Sequence, residues 1–480
     1  MALRYLPEPG RMVADLIPFY DEGYYHAYYL KGFRDGTGWA RHHTPWAHLR
    51  SKDLLTWEEL PNALETGTQT EPDGGACFTG SVYREGETVH IFYTGFSPGH
   101  PDGREQIMHA TSSDGIAFEK NRANPILRVG SEHYGYDEDF RDPFVFRNEE
   151  EGRYWMLFTA GCRHPVNGNR RGVIGLAVSD DLQNWRFEAP IYAPDAYPSL
   201  ECPDLFRMGD AWYLLFSQFG RTEYRMADSP YGPWRRPDNP YFDAGDYFFY
   251  AAKSCFDGED RYLFGWCGDL AEGKDAPRAM WGGTFVTPRK IVREENGELR
   301  LVCPDIYASS VTKSHHLDYN ECIALCGEWN EKPDGTIASR RAAGFAALLW
   351  KEAPERISLR LTVSKEEGAG TAGLVLRADN RLDNAYMLGL DYGAGTLRLE
   401  RYRAVRAFHG SALDGERILC ERPVPGLAVA GDTDILVFLQ DDILEAFVNG
   451  VTMTIPLRDI TGGGLGLYTS DGSALFTLKS

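Results

Sequence analysis

Three acidic residues interrupt stretches that otherwise read as buried strand. Asp15 stands in VADLIPFY, Asp142 in FRDPFVF (140–146) and Glu201 in SLECPDLFRM (199–208). An acid walled by Ala, Leu and Ile is costly to bury without a partner or a purpose. Two such carboxylates can break a glycosidic bond: one protonates the leaving oxygen while the other attacks or activates water, and a separation of roughly 5–5.5 Å gives retention of configuration. A nearby carboxylate and apolar walls would raise the pKa of Glu201, as a general acid working near neutral pH requires. Each residue also has a plainer reading. Asp15 can be a solvated turn acid, and Asp142 can form a structural ion pair with Arg141, whose fixed fork of donors would equally suit a sugar hydroxyl. Cys202 reads as a packed neighbour rather than a nucleophile, with no His at an interpretable spacing to serve as its base.

Acids this far apart in sequence meet only if the fold gathers many strands around one axis. Five segments share an aromatic, strand-like pattern ending in small or polar residues: 24–32, 89–96, 154–161, 212–220 and 261–268. Between them recurs an Asp-bearing turn leading to an aromatic, at 51–61, 112–121, 179–190 and 228–237. Units of this size, each hiding its face only against its neighbours, predict a five-bladed β-propeller over residues 1–300, whose innermost strands point acids at a central axis. Unrelated strands of one large sandwich are the alternative. After residue 300 the aromatics thin out and short alternating strands separated by Gly, Asp and Asn turns predict a β-sandwich over 320–480, with the junction within 290–320. The chain is thus expected to be all-β.

Composition narrows the function classes. With 70 acidic against 50 basic residues, the net charge of -20 repels phosphate backbones and anionic lipid, so neither nucleic acid nor a membrane is an expected partner. The first twenty residues hold no apolar core of secretory length, and the nine cysteines are scattered without paired ligand spacing. These features point to a cytoplasmic protein with reduced thiols, no metal site and no cofactor. A homo-oligomer is compatible with the sequence.

Taken together, WAHLRSKDLLTWEELP (46–61), FTGS (78–81), FRDP (140–143), ECPD (201–204) and DYFFYAAKS (246–254) resemble glycoside hydrolase family 32, the fructofuranosidases and their relatives. The strand pair around 443–450 and the closing GGGLGLYTS (462–470) extend that resemblance over nearly the whole chain. It implies that Asp15 is the nucleophile, Glu201 the acid/base and Asp142 a stabiliser that binds sugar hydroxyls, with Trp39, Phe78, Thr79, Arg141 and Trp266 lining the sugar site. The implied substrate is a small carbohydrate, most simply a terminal β-fructofuranoside. Where the family's first motif usually reads Trp-Met-Asn-Asp-Pro-Asn-Gly, this chain has Met12-Val13-Ala14-Asp15-Leu16-Ile17-Pro18, and Leu30 replaces the family's Gln in the first blade. Both Asn side chains are lost, which puts an ordinary terminal fructose in doubt. An arabinose-type furanosidase of family 43, a fructosyltransferase and a sugar-binding protein without catalysis remain as alternatives.

Overall fold

The computed structural model describes residues 5, 7–33, 43–135, 139–270, 279–310, 317–354, 356–366, 368–403 and 418–479. Its contacts divide the chain into two compact units, one formed by Arg4–Asp269 with Ala279–Arg300, the other chiefly by Leu301–Ser480. Among the described residues the regular elements are strands, apart from one short helix, α1 (Asp305–Ser310), and two single 3-10 turns.

The first unit is a five-bladed propeller. Blade one contains β1 (Arg11–Asp21), β2 (Tyr24–Phe33), β3 (Trp46–Ser51) and β4 (Glu58–Leu64); blade two contains β5 (Ala76–Glu85), β6 (Thr88–Phe96), β7 (Glu105–Ser112) and β8 (Glu119–Lys120). Blade three contains β9 (Phe140–Asn148), β10 (Arg153–Gly161), β11 (Gly172–Ser179) and β12 (Arg186–Tyr192). Blade four contains β13 (Glu201–Met208), β14 (Ala211–Gln218) and β15 (Arg221–Ala227), with a fourth position marked by the bridge Met226↔Arg235. Blade five contains β16 (Tyr250–Phe256), β17 (Arg261–Leu270), a broken third strand made of β18 (Ala279–Phe285) and β19 (Arg289–Arg293), and β20 (Leu299–Val302). The innermost strands touch in ring order, β1 to β5, β9, β13, β16 and back to β1, and β18 closes the ring by pairing with β1 at Val13↔Gly283.

The sequence repeats have local causes. All five aromatic segments are second strands of blades, and their side chains fill the seams between sheets: Phe92, Tyr154 and Phe158 join Phe140 of β9 in one such cluster, and Trp155, Leu214 and Phe216 belong to the next. The Asp-bearing segments join third to fourth strands, and three of them are superimposable in their bonding. Ser51, Ser112 and Ser179 each donate to Asp53, Asp114 and Asp181, whose carboxylates accept backbone N–H groups two and three residues on. This is the Asx-turn chemistry that makes Asp a turn residue. The β1–β2 hairpin turns on Glu22-Gly23, both at positive φ as a two-residue primed turn demands.

The second unit is a β-sandwich, with twelve strands among the described residues: β21 (Ile323–Cys326), β22 (Glu328–Glu331), β23 (Ile337–Trp350), β24 (Ile357–Lys365), β25 (Thr371–Ala378), β26 (Asn384–Asp391), β27 (Thr396–Arg403), β28 (Ile418–Pro423), β29 (Asp432–Gln440), β30 (Ile443–Val448), β31 (Val451–Pro456) and β32 (Gly464–Lys479). The long β32 is its spine, pairing with β23, β24 and β25.

Candidate active site

Every innermost strand of the propeller is irregular at the same place. The registers slip at Ala14/Leu16 in β1 and at Phe78/Gly80 in β5. Equivalent slips fall at Arg141–Phe144 in β9, Glu201/Asp204 in β13 and Tyr250/Lys253 in β16. Four of the five bulges hold a non-glycine residue at positive φ: Asp15, Asp142, Cys202 and Ala251. Such backbone costs of order 1–3 kcal/mol per residue and persists only where the surroundings over-determine it. Asp15 therefore lies at a bulge inside β1, the strand that precedes the first aromatic segment.

Blade by blade, these bulges deliver the acids to one place. Asp15 accepts from Thr79 Oγ1 through Oδ2 at 2.5 Å and from Trp266 Nε1 through Oδ1 at 2.9 Å. Asp142 accepts from Thr159 Oγ1 (3.1 Å) and from the Cys202 N–H (2.9 Å), both on Oδ2, while its own N–H donates to Thr94 Oγ1 at 2.8 Å. Thr94 in turn donates to the Thr79 carbonyl at 2.9 Å, so one hydroxyl sets the backbone at both bulges. Glu201 accepts from Arg141 Nη2 through Oε1 at 2.9 Å and from the Tyr250 hydroxyl through Oε2. Its walls are thus a guanidinium and a phenol, where the sequence suggested apolar ones. A link runs from one acid to the other: Trp266 bonds Asp15, its ring meets Tyr250 edge-on at 5.7 Å between centroids, and Tyr250 bonds Glu201.

The electrostatics follow from these contacts. Burial pushes Asp142 up to about 6; Arg141 and the Cys202 N–H oppose that rise, while the charges of Asp15 and Glu201 add to it. Arg141 meets Glu105 and Asp139 as well as Glu201 and Asp142. Burial alone would lower its pKa, but these acids outweigh burial and push it well up. Burial, with Asp142 beside it, raises the Cys202 thiol far above the usual range, so it is a packed, protonated neighbour and not a nucleophile. The Glu201 side chain is 32% exposed and that of Asp142 4%, so the site opens at Glu201 and bottoms out at Asp142.

The remaining residues named from the sequence divide. Thr79, Arg141 and Trp266 bond directly to the acids. Phe78 stacks on Phe96 at 4.6 Å, and its carbonyl accepts from Trp46 Nε1 at 3.0 Å, so it packs the wall beside Thr79. Trp39 lies outside the described residues. Leu30 is buried, paired with Ala14 on one side and Trp46 on the other. Tyr250, Thr94 and Thr159 were not foreseen, although Tyr250 sits in the DYFFYAAKS stretch that carried part of the resemblance. Among the described residues no cluster of His, Cys, Asp and Glu has the grouping of a metal site, and no helix is long and apolar enough to cross a membrane.

A five-bladed propeller whose inner strands converge three carboxylates, followed in sequence by a β-sandwich, places the chain among the propeller-type glycosidases. Residues 17–303 match the N-terminal domain of glycosyl hydrolases family 32, and the chain belongs to that family. It is 32% identical to the sucrose-6-phosphate hydrolase of Escherichia coli over 315 residues, covering 61% of each chain. It is 27% identical to the raffinose invertase of Escherichia coli over 490 residues, covering 95% of this chain and 89% of that one. The match thus spans about three fifths of the length of the Escherichia coli sucrose-6-phosphate hydrolase. Its fold is similar to fructan 1-exohydrolase IIa from Cichorium intybus (TM-score 0.73, 17% identity, 99% and 97% of the two chains). It is equally similar to sucrose-6-phosphate hydrolase from Lactobacillus gasseri (TM-score 0.72, 19% identity, 100% and 92%).

Proposed function

We propose that the protein is a retaining β-fructofuranosidase acting on short fructosides, with Asp15 as nucleophile, Glu201 as acid/base and Asp142 as the group that holds sugar hydroxyls. The observation that carries this reading is that short bonded links join all three carboxylates: Arg141 reaches both Asp142 and Glu201, and Thr79 and Thr94 tie the Asp15 bulge to that of Asp142. The family membership and the names of the similar proteins, sucrose-6-phosphate hydrolase and raffinose invertase, point the same way.

In the first step an Asp15 oxygen attacks the anomeric carbon as the bond to the leaving oxygen breaks and that oxygen takes the Glu201 proton. In the second, water gives a proton to Glu201 and attacks the same carbon, releasing the sugar and restoring the Asp15 carboxylate. Arg141 stabilises the Glu201 carboxylate left after the first proton transfer, and Tyr250 fixes its second oxygen. Trp266 and Thr79 each hold one oxygen of Asp15, aiming the carboxylate for attack. The unpaired cysteines fit action in the cytoplasm on an imported substrate. Incubation with sucrose, sucrose-6-phosphate, short inulin and levan oligomers, and arabino- and galactofuranosides tests the reading. Free fructose is expected, with anomeric retention by NMR, and is lost in Asp15→Asn and Glu201→Gln. Turnover of another furanoside with silence on every fructoside overturns it.

A further inference from the structure

The sandwich unit contains a cavity of about 260 Å³ that the reaction does not use. It lies across five neighbouring strands, and strand alternation explains its lining. On β27 the residues Arg398, Glu400 and Tyr402 share one face, while Leu397 and Leu399 are buried on the other. On β26 Gly389 and Asp391 share that same face, with Leu388 and Leu390 behind them. A Cβ at Gly389 would stand 1.9 Å from the Tyr468 hydroxyl, so only glycine lets that ring lie into the floor. Phe345 stands 5.9 Å from Tyr468 and 6.4 Å from Tyr402, its ring nearly parallel to the latter at 9°.

We propose that this cavity binds a single neutral sugar ring, as a non-catalytic site in the second unit. Its aromatic rings suit the C–H face of a sugar, and its rim supplies what a ring of hydroxyls needs. Arg398 spends its donors on Asp391 at 2.9 Å, Glu400 at 3.5 Å and Glu421 at 2.8 Å, which fixes the carboxylates of Asp391 and Glu400 at the rim as acceptors for hydroxyls. The paired hydroxyls of Thr371 and Ser470, 2.7 Å apart, serve as donor or acceptor. One guanidinium against three carboxylates leaves the cluster negative, which rejects phosphorylated or carboxylated ligands. An entirely apolar ligand would strip water from these charges without replacing its hydrogen bonds.

The test uses the full chain carrying Asp15→Asn, so that no turnover disturbs titration calorimetry with sucrose, fructose, glucose and, as the anionic control, sucrose-6-phosphate. A neutral sugar is expected to show a binding event that weakens roughly tenfold in Tyr402→Ala and in Glu400→Gln. Sucrose-6-phosphate is expected to show no event sensitive to either substitution. In chains that retain Asp15, the same two substitutions leave the hydrolytic rate on short substrates within about twofold. Glu400→Gln keeps the shape of the site and decides the matter if Tyr402→Ala does not fold. Titrations that are identical with and without these substitutions, or silent for every neutral sugar, overturn the proposal. Because turnover is assayed separately, a chain that binds at this site without hydrolysing any fructoside would refute the hydrolase reading alone.

Discussion

Replacing Asp142 by Asn is expected to make the protein more stable while removing its activity. The carboxylate is fully buried and shares its surroundings with Asp15 and Glu201, and Arg141 is already matched by Glu201, Asp139 and Glu105 without it. Raising the group from 3.8 to about 6 costs the ionised native state about 3 kcal/mol. The folded pKa lies above the unfolded one, so the native state holds the proton more tightly. This contribution to stability is present below pH 4 and is lost as pH rises through about 6. Asn is neutral and nearly isosteric, and its carbonyl oxygen can still accept from the Cys202 N–H and Thr159. The gain should therefore be near zero at pH 4 and reach up to about 3 kcal/mol above pH 7. Denaturant unfolding of both chains from pH 4 to 8, followed through the propeller's tryptophans, measures it. A variant no more stable than the parent at pH 8, or a gain that does not grow with pH, refutes the assignment of a net burial cost to this carboxylate. The parent's activity should decline as pH falls through about 6, because a protonated Asp142 accepts fewer sugar hydroxyls.

Two further outcomes follow from contacts on the same blades. Trp266→Phe removes the indole N–H from Asp15 Oδ1, a hydrogen bond to a charged acceptor worth about 1.5–3 kcal/mol, so kcat/KM on a fructoside should fall roughly 10- to 100-fold with little change in thermal midpoint. Blades one and two each hold a bonded histidine pair, buried His26 with His48 (2.8 Å) and half-buried His90 with buried His109 (2.9 Å), and burial holds His26 and His109 down at about 4. Since the unfolded chain takes up these protons first, stability should fall as pH drops from about 6.5 towards 4; a thermal midpoint flat across that window would contradict it.

Much of this was legible in the sequence because it depends on local rules. The aromatic second strands and the Ser-x-Asp turns repeat as residue patterns, and the acids stand out against apolar neighbours whatever the fold. Thr94 and Thr159 give no such signal: each is an ordinary strand threonine whose importance arises only because it faces Asp142 from a neighbouring strand or blade. Tyr250 was hidden among the aromatics of DYFFYAAKS, where composition cannot separate a ring that packs from one that bonds a carboxylate. The polar walls of Glu201 were unreadable for the same reason, since Arg141 is sixty residues away and reaches it only across the ring.

The bulges explain how adjacent residues come to serve one pocket. In a regular strand Arg141 and Asp142 would point to opposite faces, as would Glu201 and Cys202. With the register broken after each first residue, both members of a pair turn toward the axis, and equivalent positions from successive blades meet in two tiers. Arg141, Glu201 and Tyr250 occupy one position of the repeat and bond to one another in blade order. Asp15, Thr79, Asp142 and Cys202 occupy the next, where Thr79 bonds Asp15 and the Cys202 N–H bonds Asp142. The acid/base candidate therefore belongs to the first position of the repeat and the nucleophile candidate to the second. Strain at four positive-φ residues is the structural cost of packing two functional tiers into one turn of five strands.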